Sequence, residues 1–207
     1  MNWETAITDL VDVAVLLPLS LILAALMWGF QSRRAAFWLF GSLAICACIT
    51  AILKLAFDTC SAAWGIVSIS PSGHASMSAM VYGALAIVVA RHRPVWQRPI
   101  LLACSWMLVV IVAISRILVG AHSSTEVILG LLIGAGALAL FTVQYMRRPV
   151  PHINLLLVFV LTAVAVVLMH GIHLQVETWL RQAWPVEDRW SSICEWTLPG
   201  RIQHNGL

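Results

Sequence analysis

Two short stretches of this chain set a histidine beside groups suited to holding a phosphate. The first is Pro71-Ser72-Gly73-His74, a polar break between long apolar segments. Read as a helix start, it has Ser70 as N-cap and Pro71 at the first helical position, where a missing N–H costs nothing. The N–H groups of Ser72 and Gly73 then face outward at the positive end of the helix dipole. Gly73 lets an anion approach the backbone closely. His74 follows, placed to exchange a proton with a bound phosphate ester. The plainer reading of the same residues is a capped helix start with an interfacial histidine.

The second stretch runs Ser115-Arg116-Ile117-Leu118-Val119-Gly120-Ala121-His122-Ser123-Ser124-Thr125-Glu126. Arg116 lies near the end of an otherwise uncharged apolar span. A guanidinium costs about 2.5–3.5 kcal/mol at the centre of such a span and less toward the surface. Snorkelling to the headgroups accounts for it; so does phosphate binding, for which the planar guanidinium is well shaped. His122 and Glu126 are four residues apart, on one helix face, so the carboxylate can hold the imidazole in one tautomer. Ser123-Ser124-Thr125-Glu126 is also a capping box, which gives the glutamate a structural task. The two tasks are compatible.

A set of membrane-spanning helices must position these residues. Of 207 residues, 61% are hydrophobic and 10% charged, with mean hydropathy +0.92; a soluble domain carries about 25% charge. Apolar runs of roughly 20 residues, enough to cross a bilayer, recur along the chain. The expected fold class is all-α: a polytopic membrane protein, one domain over 1–207, with six transmembrane helices. The spans fall near 7–30, 36–57, 72–90, 99–119, 123–146 and 153–173. A polar, Trp-rich tail, 174–207, is expected to lie on the membrane interface.

Charge orients the bundle. Arg33 and Arg34, then Arg91, Arg93 and Arg98, then Arg147 and Arg148 occupy connections with no Asp or Glu. The positive-inside rule puts these in the cytoplasm and both termini outside. Pro71–His74, Arg116–His122 and Lys54, at the end of the second span, then arrive at one outer surface. The net charge of +3 sits in small clusters that report topology rather than nucleic-acid binding. Trp28, Trp38 and Trp96 mark one interface, Trp3 and Trp64 the other. Gly130, Gly134 and the small residues Ala135–Ala137 allow close helix packing.

Glu4, Asp9 and Asp12 argue against a cleavable signal. Cys46, Cys48 and Cys104 read as packing residues within apolar runs. Cys60 and Cys194 fall in polar segments on the oxidising side, where a disulfide between them would tie the tail to the active-site loop. His92, His152 and His204 read as surface. His170 and His173 share a face, but lack the convergent carboxylate or cysteine of a metal site.

Lys54, the Pro71-Ser72-Gly73-His74 block and Ser115-Arg116 with His122 and Glu126 resemble, in order, the three signature motifs of the type 2 phosphatidic-acid phosphatase family. Its superfamily includes lipid phosphatases, undecaprenyl-diphosphate phosphatases, glucose-6-phosphatase and vanadium haloperoxidases. The resemblance spans residues 54–126 and implies roles by position. His122 would be the nucleophile that forms a phosphohistidine, and Glu126, in place of the family's usual Asp, would orient it. His74 would protonate the leaving oxygen. Lys54, Ser72, Gly73 and Arg116 would hold the phosphoryl oxygens, with no metal or other cofactor required. The implied substrate is a lipid phosphate or diphosphate drawn from the bilayer, either an isoprenoid diphosphate or a phosphatidyl-type phosphate. It would be hydrolysed at the outer leaflet of a bacterial-type plasma membrane, on the periplasmic side. Transfer to a lipid or glycolipid acceptor is a close alternative, and a catalytically weak lipid-phosphate-binding protein is another.

That last alternative is motivated by a departure. The family's first motif is Lys, six residues, then Arg-Pro; here Ser61-Ala62 follow Lys54 at that spacing. One phosphate-binding guanidinium is absent from its usual place, a charged hydrogen bond worth roughly 1.5–3 kcal/mol. Arg181, Arg189 or Arg201 of the tail can substitute if the tail folds over the site. Replacing all three by Gln is then expected to lower phosphate release by about tenfold or more; unchanged turnover would remove the tail from consideration.

Overall fold

The computed structural model describes residues 13–64, 69–147 and 151–169, and every element among them is helical. Helix α1, Val13–Leu26, continues into a five-residue π turn, Met27–Gln31. Helix α2 is Arg33–Trp64, α3 is Gly73–Arg91, and a 3-10 turn at Val95–Gln97 leads into α4, Arg98–Leu118. Helix α5 is Ser124–Met146 and α6 is Leu155–Met169. The breaks follow local chemistry. Ser32 is extended, Pro94 precedes the 3-10 turn, and Gly120 takes a positive φ of 70° just after α4. A residue with a Cβ rarely adopts that conformation.

Among the described residues, five segments are long and apolar enough to cross a membrane: Ala14–Gln31, Arg33–Asp58, Gly73–Arg91, Val95–Leu118 and Ser124–Met146. Helix α6 has 15 described residues, about 22 Å of helix against a hydrocarbon layer of about 30 Å. The expected sixth span, 153–173, runs past Met169 and beyond the described residues. The interfacial tail, with Cys194, His170, His173, His204, Arg181, Arg189 and Arg201, also lies outside them.

The chain divides into two compact units, Met1–Ala51 with Pro71–Leu174, and Ile52–Ser70 with Gln175–Leu207. In the first, α3 is the central helix: 13 of its 19 residues are buried, against four of 21 in α4. Met80, Val81 and Val88 of α3 share a core with Leu39, Val109, Phe141 and Tyr145. Helix α4 buries Val109, Val112 and Ala113 while Trp106, Val110, Ile114 and Leu118 stay exposed, the outward stripe expected of a lipid-facing helix. Two buried hydroxyls are satisfied within their own helices: Ser78 Oγ donates to the Ala75 carbonyl and Ser115 Oγ to that of Val112. This is how hydroxyls are tolerated where no water competes. In the second unit, Lys54 is half-buried and Asp58 exposed on α2. Cys60 is buried and disulfide-bonded; its expected partner, Cys194, is outside the described residues.

The arginine-rich end of the first unit is closed by a network that reading His92 as surface does not anticipate; His152 is exposed, as expected. The π turn aims Gln31 at both His92 and Tyr145: Gln31 Nε2 lies 2.9 Å from His92 Nε2, and the Tyr145 hydroxyl donates to Gln31 Oε1 at 3.1 Å. The amide oxygen is thus occupied, and its NH2 faces the imidazole, which must offer a lone pair. The His152 ring lies 5.2 Å from that of His92. Burial, then the nearby charges of His152 and Arg91, push His92 below its ordinary pKa. A histidine held neutral in the fold takes up a proton more readily when unfolded. Its contribution to stability is therefore complete above about pH 6.5 and falls as the pH drops below that value. Thermal unfolding in detergent is expected to show a lower Tm at pH 5.5 than at pH 7.5, with the difference reduced in His92→Gln. An equal drop in both proteins would assign the effect to other groups.

Candidate active site

The two histidine stretches meet in the first unit. Helix α3 begins at Gly73, not Pro71. The N-cap is Ser72, with ψ 112°, and its Oγ accepts from the Ala75 N–H at 3.4 Å. This corrects the expectation of Ser70 as cap and Pro71 as first helical residue; Pro71 instead precedes the cap. The physical reason lies across the interface: the Ser72 N–H donates to the Glu126 carbonyl at 3.0 Å. A tertiary partner for that N–H fixes Ser72 in an extended conformation and delays the helix by two residues. The Ser72 N–H is therefore not available to an anion. Gly73 becomes the first helical residue and His74 the second, both half-buried, while Ser72, fully buried, keeps its hydroxyl proton to donate.

Helix α5 opens with the capping box read from the sequence. Ser123 Oγ accepts from the Glu126 N–H at 3.4 Å, and Glu126 Oε2 accepts from the Ser123 N–H at 2.8 Å. The same Oε2 lies 3.3 Å from His122 Nδ1. One carboxylate oxygen thus closes the helix start and faces the histidine. The two side chains are 12% and 15% exposed, which shields the pair from water without sealing it. With Nδ1–H donated to the carboxylate, the imidazole lone pair is on Nε2. The backbone completes the arrangement: the Arg116 carbonyl accepts from the N–H groups of Ala121 at 3.1 Å and His122 at 3.3 Å. That six-residue turn, with Gly120 at φ 70°, ties the end of α4 to the histidine. Arg116 is half-buried in the last turn of α4.

Beneath the start of α3 is a polar cluster that sequence reading missed. Thr50 Oγ1 lies 3.1 Å from Ser76 Oγ, which also reaches the Gly73 carbonyl at 3.0 Å, and the Cys46 thiol bonds to the same pair. The four-residue spacing of Cys46 and Thr50, matched by Ser72 and Ser76, was the available signal. Of the remaining expected site residues, Lys54 belongs to the second unit, and the side chains of Ser61 and Ala62 lie outside the described residues.

Close helix contact holds the two stretches in register. A Cβ at Gly130 would lie 2.4 Å from the Ser72 carbonyl oxygen, and one at Gly134 would lie 2.3 Å from that of Ser76. No flexible side chain is there to give way; the obstacle is the backbone of α3. These glycines let α5 lie against the first turns of α3, which is what brings Glu126 to Ser72. Gly130→Ala is expected to destabilise the protein by about 1–3 kcal/mol through overpacking and to depress activity by displacing Glu126. Gly136→Ala, with nothing within 4 Å of the added atom, is expected to be neutral or slightly stabilising. Thermal unfolding of the two variants side by side makes the comparison; equal effects would refute the contact argument.

Comparison with known proteins identifies the family. A family model described as the PAP2 superfamily matches residues 35–150, which include the α3 start, Arg116, His122 and Glu126. A Klebsiella pneumoniae protein described as an "Uncharacterized 22.5 kDa protein in cps region" is 32% identical over 183 residues, covering 83% of this chain and 84% of its own length. No solved structure gives a significant match. With more than half of the chain matched, the chain belongs to the PAP2 superfamily, and with it to proteins with a phosphatase-type activity on phosphate esters.

Proposed function

We propose that this chain is an integral-membrane phosphatase that hydrolyses a lipid phosphate or diphosphate through a phosphohistidine. The observation that carries the reading is the His122–Glu126 pair, 3.3 Å apart, formed where His122, just ahead of the α5 cap, meets the helix turn whose Glu126 carbonyl also binds the N-cap of α3. His122 Nε2 attacks phosphorus, forming the P–N bond as the P–O bond to the leaving group breaks. His74 gives its proton to the departing oxygen. Water then attacks the phosphohistidine, His74 removes its proton, and phosphate leaves with His122 restored. Glu126 stabilises the imidazolium that forms in between, and a carboxylate within hydrogen-bond reach is the group suited to that task.

The phosphoryl oxygens are held by Arg116, the Gly73 N–H, the Ser72 hydroxyl and Lys54. Phosphoryl transfer asks mainly for position and positive charge. Guanidinium, ammonium and a helix start provide these without a metal. The residues in question stand toward the ends of apolar helices, which favours an amphiphilic substrate such as an isoprenoid diphosphate or a phosphatidyl-type phosphate. The arginine connections at the opposite helix ends favour a cytoplasmic location for that side, with the histidine site and both termini facing outward. A sixth span completes that topology.

Phosphate release from a panel of lipid phosphates tests the reading. His122→Ala is expected to reduce release to background, and His74→Ala to lower it by about 10²–10⁴-fold, the usual worth of a positioned acid. Acid-labile phosphate on the trapped protein should vanish with His122→Ala. Equal release by wild type and His122→Ala would end the reading, and release only in the presence of an acceptor lipid would point to transfer.

A further inference from the structure

At the end of α3 remote from His74, Ile87, Ala90, Arg91, Arg98, Leu102 and Met146 enclose an open cavity of about 310 Å³. Its lining is graded along the helices. Arg91 is the last residue of α3, Arg98 the first of α4 and Met146 the last of α5. Ile87 and Leu102 each lie one turn further into their spans. The two guanidiniums therefore share the rim with Met146, and Ile87 and Leu102 lie beneath them, in the order in which a bilayer turns from headgroup to hydrocarbon.

The rim is held in place. An Arg91 η nitrogen donates to the Tyr145 carbonyl, and the guanidinium stacks 4.6 Å above the Tyr145 ring. Arg98 Nε donates to the Arg93 carbonyl at 3.1 Å, which leaves its two η nitrogens for a ligand. No Asp or Glu occurs between residues 59 and 125, or from 127 to 176, so the segments that build the cavity bring cations alone. Arginine pairs of this kind suit a phosphate. An apolar floor beneath the arginines distinguishes a lipid from a soluble anion.

We propose that this cavity is a binding site for an anionic phospholipid, separate from the histidine site. Its phosphate sits between Arg91 and Arg98 and its first acyl methylenes lie against Ile87, Leu102 and Met146. Basic pockets between spans commonly take acidic headgroups, with about 1 kcal/mol from each arginine near the surface, or about fivefold in affinity.

The test is native mass spectrometry of the full chain in detergent with equal amounts of phosphatidylglycerol and phosphatidylethanolamine. Wild type is expected to retain phosphatidylglycerol in preference, Arg98→Gln to lose about fivefold of that preference, and Arg93→Gln, in the same connection but outside the cavity, to keep it. Arg91→Gln also removes the bond to Tyr145, so Arg98→Gln carries the weight and Arg91→Gln is read only alongside its Tm. No preference in wild type, or equal loss in Arg93→Gln and Arg98→Gln, would overturn the proposal. Displacement of the lipid by glycerol phosphate at equal concentration would also overturn it, in favour of a soluble anion.

Discussion

The hydrogen bond from the Ser72 N–H to the Glu126 carbonyl is the constraint on which the rest of the site depends. A helix start carries N–H groups with no intrahelical partner, and leaving one buried and unmet costs about 1–3 kcal/mol. Here Ser72 is fully buried, so its N–H must find an acceptor in the protein. Within α5 the Glu126 carbonyl is directed toward the N–H of residue 130, and a second donor reaches it only if no side chain stands in the way. Residue 130 is Gly130, and the Ser72 carbonyl occupies the place where its Cβ would be. One missing methyl and one bond thus set how far apart the two histidine stretches lie.

Glu126 is asked to do three things with one residue. Its carbonyl receives Ser72, and its Oε2 receives the Ser123 N–H at 2.8 Å and faces His122 Nδ1 at 3.3 Å. The capping box favours glutamate at this position: its length lets the side chain fold back over the first turn. The shorter of the two contacts is the structural one. The histidine is held by an oxygen already committed to the helix start, so its orientation is tied to the integrity of that turn.

Helix α3 presents opposite ends of one dipole to two different tasks. Its N-terminus, with Gly73 and His74, favours an anion, and its C-terminus, where Arg91 sits in the last turn, favours a cation. The same helix is the most buried of the bundle, so both ends are referred to one rigid core of Met80, Val81 and Val88 against Phe141 and Tyr145. At the far end, the π turn places Gln31 where it joins His92 to Tyr145, which closes the bundle with side-chain amides and rings.

The helical class, five of the spans, the capping box and the residues of both histidine stretches were legible from the sequence, because each is a local property. Hydropathy and the Ser123–Glu126 pattern need no knowledge of neighbours; the four-residue spacing of His122 and Glu126 predicts a shared helix face, but α5 begins at Ser124 and His122 meets the carboxylate from ahead of the cap. The start of α3 was not legible. Ser70-Pro71 is as good a local signal as Ser72-Gly73, and only the acceptor on Glu126 selects between them. The glycines at 130 and 134 announced close packing but not their partner; the backbone of Ser72 and Ser76 is known only once α5 lies on α3. Likewise His92 looked like a surface residue until the π turn brought Gln31 to it. Local chemistry decided what each segment can be, and contacts between distant segments decided which carbonyl, which N–H and which ring each residue meets.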